Sequence, residues 1–122
     1  MAENLKVTRH RNGEEVAGGK MKSTRTEPDS HPRWDGPNEG STNESGFSGL
    51  PGGLRHTNGD FGNRGFGGYW WSSTELGNNY AWYCYLSYTT EAVYGGIDFK
   101  YFGYSVRCVM DDVVSQLTFT IP

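Results

Sequence analysis

Polar and hydrophobic positions alternate in several short stretches of this chain, and long apolar runs are missing. Residues 69–74 (Tyr-Trp-Trp-Ser-Ser-Thr) read as a strand, with Tyr69 and Trp71 on one face and Trp70 on the other. Asn78-Asn79 turns the chain into a second strand over 80–88. There Trp82, Cys84 and Leu86 share the face expected to point inward, while Ala81, Tyr83, Tyr85 and Ser87 share the opposite one. A turn is expected over 89–96, at Gly95-Gly96, followed by Ile97 to Lys100 and a strand over 101–110. In that strand Tyr104, Val106, Cys108 and Met110 fall on one side. Trp71, Trp82 and Val106 are the expected core residues, and Tyr83, Tyr85 and Tyr94 are expected to be exposed.

The remaining pattern is weaker. Residues 5–8 read as a short strand before an Asn12-Gly13 hairpin turn, and Leu117, Phe119 and Ile121 alternate with threonines as a half-buried strand. Residues 20–45 are polar and broken by Pro28, Pro32 and Pro37, so an irregular segment anchored by Trp34 is expected. Phe47 and Leu50 mark a strand end. Pro51-Gly52-Gly53 and residues 57–60 mark turns, and Phe61 and Phe66 anchor a glycine-rich loop.

Composition sharpens the fold class. The 122 residues are enough for one domain. Hydrophobic content is only 34%, but aromatics make up 15% and there are 18 glycines. Large rings supply contact area and glycines permit tight turns, so the expectation is an α+β domain, mostly strand and loop, with little helix. Its parts are an irregular segment over 1–45, a core over 46–111 and an extra strand over 112–122.

Residues 1–34 hold seven Lys/Arg and five Asp/Glu, whereas 35–122 hold four and nine. The net charge of −3 gives no reason to expect recognition of nucleic acid through its phosphates, and the mildly basic lead segment reads as a docking arm or a plain solvated face. No run of about 18 apolar residues spans a membrane. The polar start, Met1 to Leu5, has no apolar segment of the kind a signal peptide carries.

Four motifs in order carry a resemblance: GFSGLPGGLR at 46–55, YWWSSTE at 69–75, AWYCYL at 81–86 and GYSVRCV at 103–109, with MAENLKVT at the start as a looser match. They resemble the Fibrobacter succinogenes major paralogous domain family, whose pattern is similar to the formylglycine-generating-enzyme and C-type-lectin-like folds. The resemblance implies a compact C-type-lectin-like domain that is secreted or held at a bacterial surface, as lipoproteins are. In the family a similar start lies inside the chain after an export signal, so Met1 is expected to be an internal methionine. Against the family pattern, the segment between Gly13 and Gly18 lacks an insert that covers one sheet face. A homo-oligomer is therefore expected, with the uncovered face or the tail at 117–121 buried between chains; the alternative is that residues 1–45 fold back and close the face as an irregular lid.

Candidate chemistry is sparse. Cys84 and Cys108 allow one disulfide, two buried thiols, or a metal or catalytic role. The resemblance makes Cys108 a usual family position and Cys84 a departure. It also raises an alternative activity, oxidation through a cysteine pair with copper, although the surrounding motif of that enzyme is not visible. Asp35, Asn38, Glu39, Asn43 and Glu44 could hold Ca²⁺ or form a plain solvated loop. His10, His31 and His56 have no metal-ligand spacing. Asp111-Asp112 reads as a charged end to the preceding strand.

The clearest surface is aromatic: Tyr83, Tyr85, Tyr88, Tyr94 and Tyr101, with Ser87, Asn78 and Asn79. Tyrosine combines stiff contact area with a hydroxyl, as binding surfaces do, although tyrosines also pair across strands for structural reasons. C-type-lectin-like domains place variable Tyr, Asn and Ser positions in this same half. The expectation is a non-enzymatic domain that binds a glycan or a protein. A purely structural module is the third alternative.

Overall fold

The computed structural model describes residues 15–109. The strands expected over 5–8 and 117–121, the Asn12-Gly13 turn, the gap before Gly18 on its N-terminal side, His10 and Asp111-Asp112 lie wholly or partly outside that range. The described elements are α1 (Ala17–Met21), β1 (Leu54–Arg55), β2 (Phe61–Gly62), β3 (Gly67–Leu76), β4 (Tyr80–Ser87) and β5 (Val93–Phe99). The fold is mostly antiparallel strand with one short helix, as the composition suggests.

Strands β3, β4 and β5 form one antiparallel sheet in that order, and β1 and β2 form a small hairpin. Alternation correctly separates the residues of the β3–β4 hairpin. Tyr69 lies opposite Tyr85 and Trp71 opposite Tyr83 on one face, while Trp70 lies opposite Cys84 on the other. Between Trp71 and Glu75 the register shifts, and the Thr74 N–H donates to Ser72 Oγ. Such a bulge bends the strand locally.

The core lies on the Trp70 side. Met21, Trp34, Phe47, Trp70, Cys84, Leu86 and Val93 form it. Trp34 is fully buried and its Nε1–H donates to the Gly49 carbonyl at 3.0 Å, so the irregular segment is pinned as expected. Phe47 meets Trp70 edge-on, with centroids 5.6 Å apart. Trp71, expected in the core, is only half-buried, because the irregular segment covers the other face of β3. Trp82 shares the covered face but is also half-buried. Its neighbours towards the hairpin end, Leu76, Tyr80, Ile97 and Phe99, are exposed, so the cover stops short of them.

Lys22 anchors the cover. Its ammonium donates to the carbonyls of Glu39, Ser87 and Thr90 at 2.8, 2.9 and 3.1 Å, and it lies 5.5 Å from the Trp34 ring centroid. One side chain thereby ties the segment after α1 to the end of β4. Burial lowers its pKa to about 8.

Helix α1 was not expected, since AGGKM has no helical pattern. Tertiary contact explains it: a Cβ on Gly18 would meet the Ala92 carbonyl oxygen, and one on Gly19 the Gly40 carbonyl oxygen. The glycines let the helix backbone touch its neighbours directly.

Four further expectations are corrected. Gly95-Gly96 is not a turn but the middle of β5, opposite Cys84 and Tyr83. The strand over 101–110 reduces to isolated bridges at Gly103 and Ser105, and Val106 is 73% exposed. Among the described residues no strand pairs with the backbone after Ser105, so alternation no longer buries a side chain there, although Arg107 reaches back to donate to the Phe47 carbonyl at 2.7 Å and lies over its ring. Phe61, expected as an anchor, is 81% exposed and lies against the Arg55 guanidinium. Phe66 is also exposed, leaning on Tyr88 at 5.0 Å.

Candidate functional site

On the face of the sheet away from Trp70, rings gather into a row. It begins with Tyr94 on β5 and passes to Tyr85 on β4 at 6.1 Å and Tyr69 on β3 at 4.7 Å. It continues to Tyr104 at 5.2 Å and Phe102 at 5.8 Å. No two neighbouring planes in this series differ by more than 36°. His56 closes the row edge-on to Phe102 at 6.1 Å.

Local backbone geometry builds this arrangement. The Ser105 N–H donates to the Tyr69 carbonyl at 2.8 Å, and the Trp71 N–H donates to the Ser105 carbonyl at 3.0 Å. Residues 103–105 thus run beside β3, and Tyr104 falls on the same side as Tyr69 and Trp71. Its ring lies 4.4 Å from Trp71 and 5.1 Å from Tyr83. Glycines provide the floor. A Cβ on Gly67 would lie 2.8 Å from Tyr85 Cε1, and one on Gly96 would lie 3.0 Å from the Tyr83 hydroxyl. The rings therefore rest on bare backbone, a packing that a side chain at either position would disrupt.

Hydrogen bonds fix the phenols. Tyr104 donates its O–H to Asp98 Oδ2 at 2.6 Å, and Asn63 Nδ2–H donates to the Tyr69 hydroxyl at 2.9 Å. Burial pushes the pKa of Tyr69, Tyr83 and Tyr104 up. For Tyr104 the bond to Asp98 adds to this, because it stabilises the neutral phenol against its anion. These upward shifts keep the phenols of Tyr69, Tyr83 and Tyr104 in their neutral form.

The structure assembles part of the expected tyrosine set. Tyr83, Tyr85 and Tyr94 belong to the face, half-buried rather than fully exposed. Tyr88 turns the other way and packs against the core beside Phe66. Tyr101 stacks on Phe99 at 6.4 Å, away from the row. Ser87 is buried, and Asn78 and Asn79 stand exposed in the hairpin turn. Sequence reasoning missed Tyr69, Trp71, Phe102, Tyr104, Asn63 and Asp98 as members of this site. Alternation already placed Tyr69 and Trp71 with Tyr83 and Tyr85 once the strands paired, but only the path of residues 103–105 could add Tyr104.

The four motifs quoted from the sequence frame this face, and a family model described as the Fibrobacter succinogenes major domain matches residues 1–110. The chain belongs to that family. Comparisons with curated proteins and with solved structures gave no match.

In this Fibrobacter succinogenes major domain the cysteines do not form the allowed disulfide: both thiols are free, with Cys84 buried and Cys108 exposed. The expectation that both point inward fails because the chain leaves the sheet before Cys108. Burial pushes the Cys84 thiol up to about 12, opposite to the low pKa that a reactive thiolate needs.

In the oxygen-rich loop several side chains make local contacts, while the buried Asn38 Oδ1 has no hydrogen-bond partner among the described residues. The Asn38 amide donates to the Ser23 carbonyl and that of Asn43 to Ser48 Oγ, while Asp35 lies against Gly65. Glu39 and Glu44 gather no metal-binding group with other acids, histidines or cysteines among the described residues. No described helix is long and apolar enough to cross a membrane.

Proposed function

We propose that this chain is a non-enzymatic ligand-binding domain that uses the aromatic face of its sheet. The observation that carries this reading is the row of partly exposed rings on the face opposite the core. A sheet needs only one apolar face to fold, and here Trp70, Cys84, Leu86 and Val93 supply it. Seven further rings lie on the other side, two of them (Tyr83 and Tyr85) over glycines and two (Tyr69 and Tyr104) fixed by hydrogen bonds, and they form a preorganised contact surface that loses little freedom on binding.

The ligand is a glycan or a protein, and the domain works outside the cell in a C-type-lectin-like manner, in keeping with the resemblance of its C-terminal half. Association into homo-oligomers belongs to the same reading and would multiply the binding faces. The burial of Cys84 favours this reading over thiol chemistry. The test is a glycan and protein array probed with the native chain and with Tyr85→Ala/Tyr94→Ala. A ligand retained by the native chain and lost by the double variant is expected. Ligands held equally by both would overturn the proposal.

A further inference from the structure

Resting on that reading, we infer that the ligand is a neutral polysaccharide chain laid across the sheet along the row from Tyr94 to Phe102. Three features of the row select it. The first is repetition. Five rings follow one another at steps of 4.7 to 6.1 Å with adjacent planes within 36°, crossing three strands and the segment after β5. A ligand built from repeating rings meets such a surface unit by unit, its C–H groups packing on the parts of successive aromatic rings that their stacked neighbours leave uncovered.

The second feature is chemistry at the ring tips. The phenol oxygens, the Asn63 amide and the Asp98 carboxylate lie among the rings, and each can exchange hydrogen bonds with sugar hydroxyls. No lysine or arginine takes part in the contacts that join the row; its acidic side chain is Asp98, and the imidazole of His56 stands at its end. That composition disfavours acidic glycans, phosphates and nucleic acids. The third feature is closure between the rings. Their centroids are too near one another to leave the gap that an aromatic cage keeps for a methylated ammonium group, so the surface is a platform and not a cage.

A protein ligand would be expected to place large anchors in pockets at the centre of its interface. The row instead offers a strip of similar rings. It therefore favours an extended, repetitive ligand over a globular one.

The test uses the full chain in native gels cast with hydroxyethylcellulose, xylan or galactomannan, with polygalacturonate as the charged comparison. Retardation by at least one neutral polymer is expected, little changed by salt. Oligosaccharides of that polymer should bind more tightly as they lengthen from two to several units. Tyr85→Ala and Tyr69→Ala should each weaken binding about tenfold. Phe61→Ala and Tyr101→Ala remove aromatics that are more exposed but lie off the row, and they should change nothing.

Retardation confined to polygalacturonate, or affinity indifferent to chain length, would overturn the inference. So would a protein ligand found on the array and lost on Tyr85→Ala, with no polysaccharide retained; the proposed function would then stand while this inference fell. Binding that follows Phe61 or Tyr101 instead of the row would overturn both. Circular dichroism and unfolding of each variant establish that lost binding does not reflect lost folding.

Discussion

Lys22 and Trp34 are both fully buried, yet they hold the irregular segment by different means. Trp34 fills volume and places one N–H, and Trp34→Ala should cost about 3–5 kcal/mol in chemical denaturation. Trp71→Ala and Trp82→Ala remove the same ring from half-buried sites and should cost clearly less. Lys22→Met keeps the stem but leaves three carbonyls without their ammonium, so a loss of about 2–3 kcal/mol is expected. The thiols provide a second check at this scale. In native protein a thiol reagent should modify Cys108 quickly and Cys84 only after denaturation. Titration of one fast thiol supports the structure; none would indicate a bond between the two.

At the level of elements, glycines decide where backbones meet. Helix α1 docks because Gly18 and Gly19 have no side chain, and Gly18→Ala would push a methyl into the Ala92 carbonyl. That substitution should destabilise by about 1–3 kcal/mol, although alanine favours a free helix. Stability unchanged in Gly18→Ala would refute the docking. The tyrosine face predicts a pH effect. Folding raises the pKa of Tyr69, Tyr83 and Tyr104 above the ordinary 10.0, so the unfolded chain releases those protons first. Their contribution is complete below pH 10 and is lost as pH rises beyond it. Lys22 acts oppositely: its folded pKa is lowered, so its contribution grows from about pH 8 towards its ordinary 10.5. Phenolate absorbance should show tyrosines that ionise late, and the late group should shrink in Tyr104→Phe.

For the whole molecule, core and candidate site occupy opposite faces of one sheet, so they should respond to mutation separately. Tyr85→Ala/Tyr94→Ala should shift the unfolding free energy by no more than about 1–2 kcal/mol, because neither ring joins the core cluster. Collapse of the fold in this variant would show that the ring row is structural. The sequence by itself determined the strand-rich class, the β3–β4 hairpin with its two faces, the anchoring by Trp34 and the side of β4 that carries Tyr83 and Tyr85, though not their half-burial. Those features depend on alternation and local turn chemistry, which act over a few residues. The inward side of β4 was legible from Trp82, Cys84 and Leu86, but the tertiary structure alone decided how far the cover reaches, leaving Trp71 and Trp82 half-buried, since a period of two separates faces without setting how completely each is covered. It also turned Gly95-Gly96 from a presumed turn into the floor beneath Tyr83, and it brought Tyr104 beside Tyr69, 35 positions earlier in the chain. Contacts across that separation leave no periodic trace in the sequence, because they arise only when the irregular segment covers one face of the sheet and residues 103–105 run along its β3 edge.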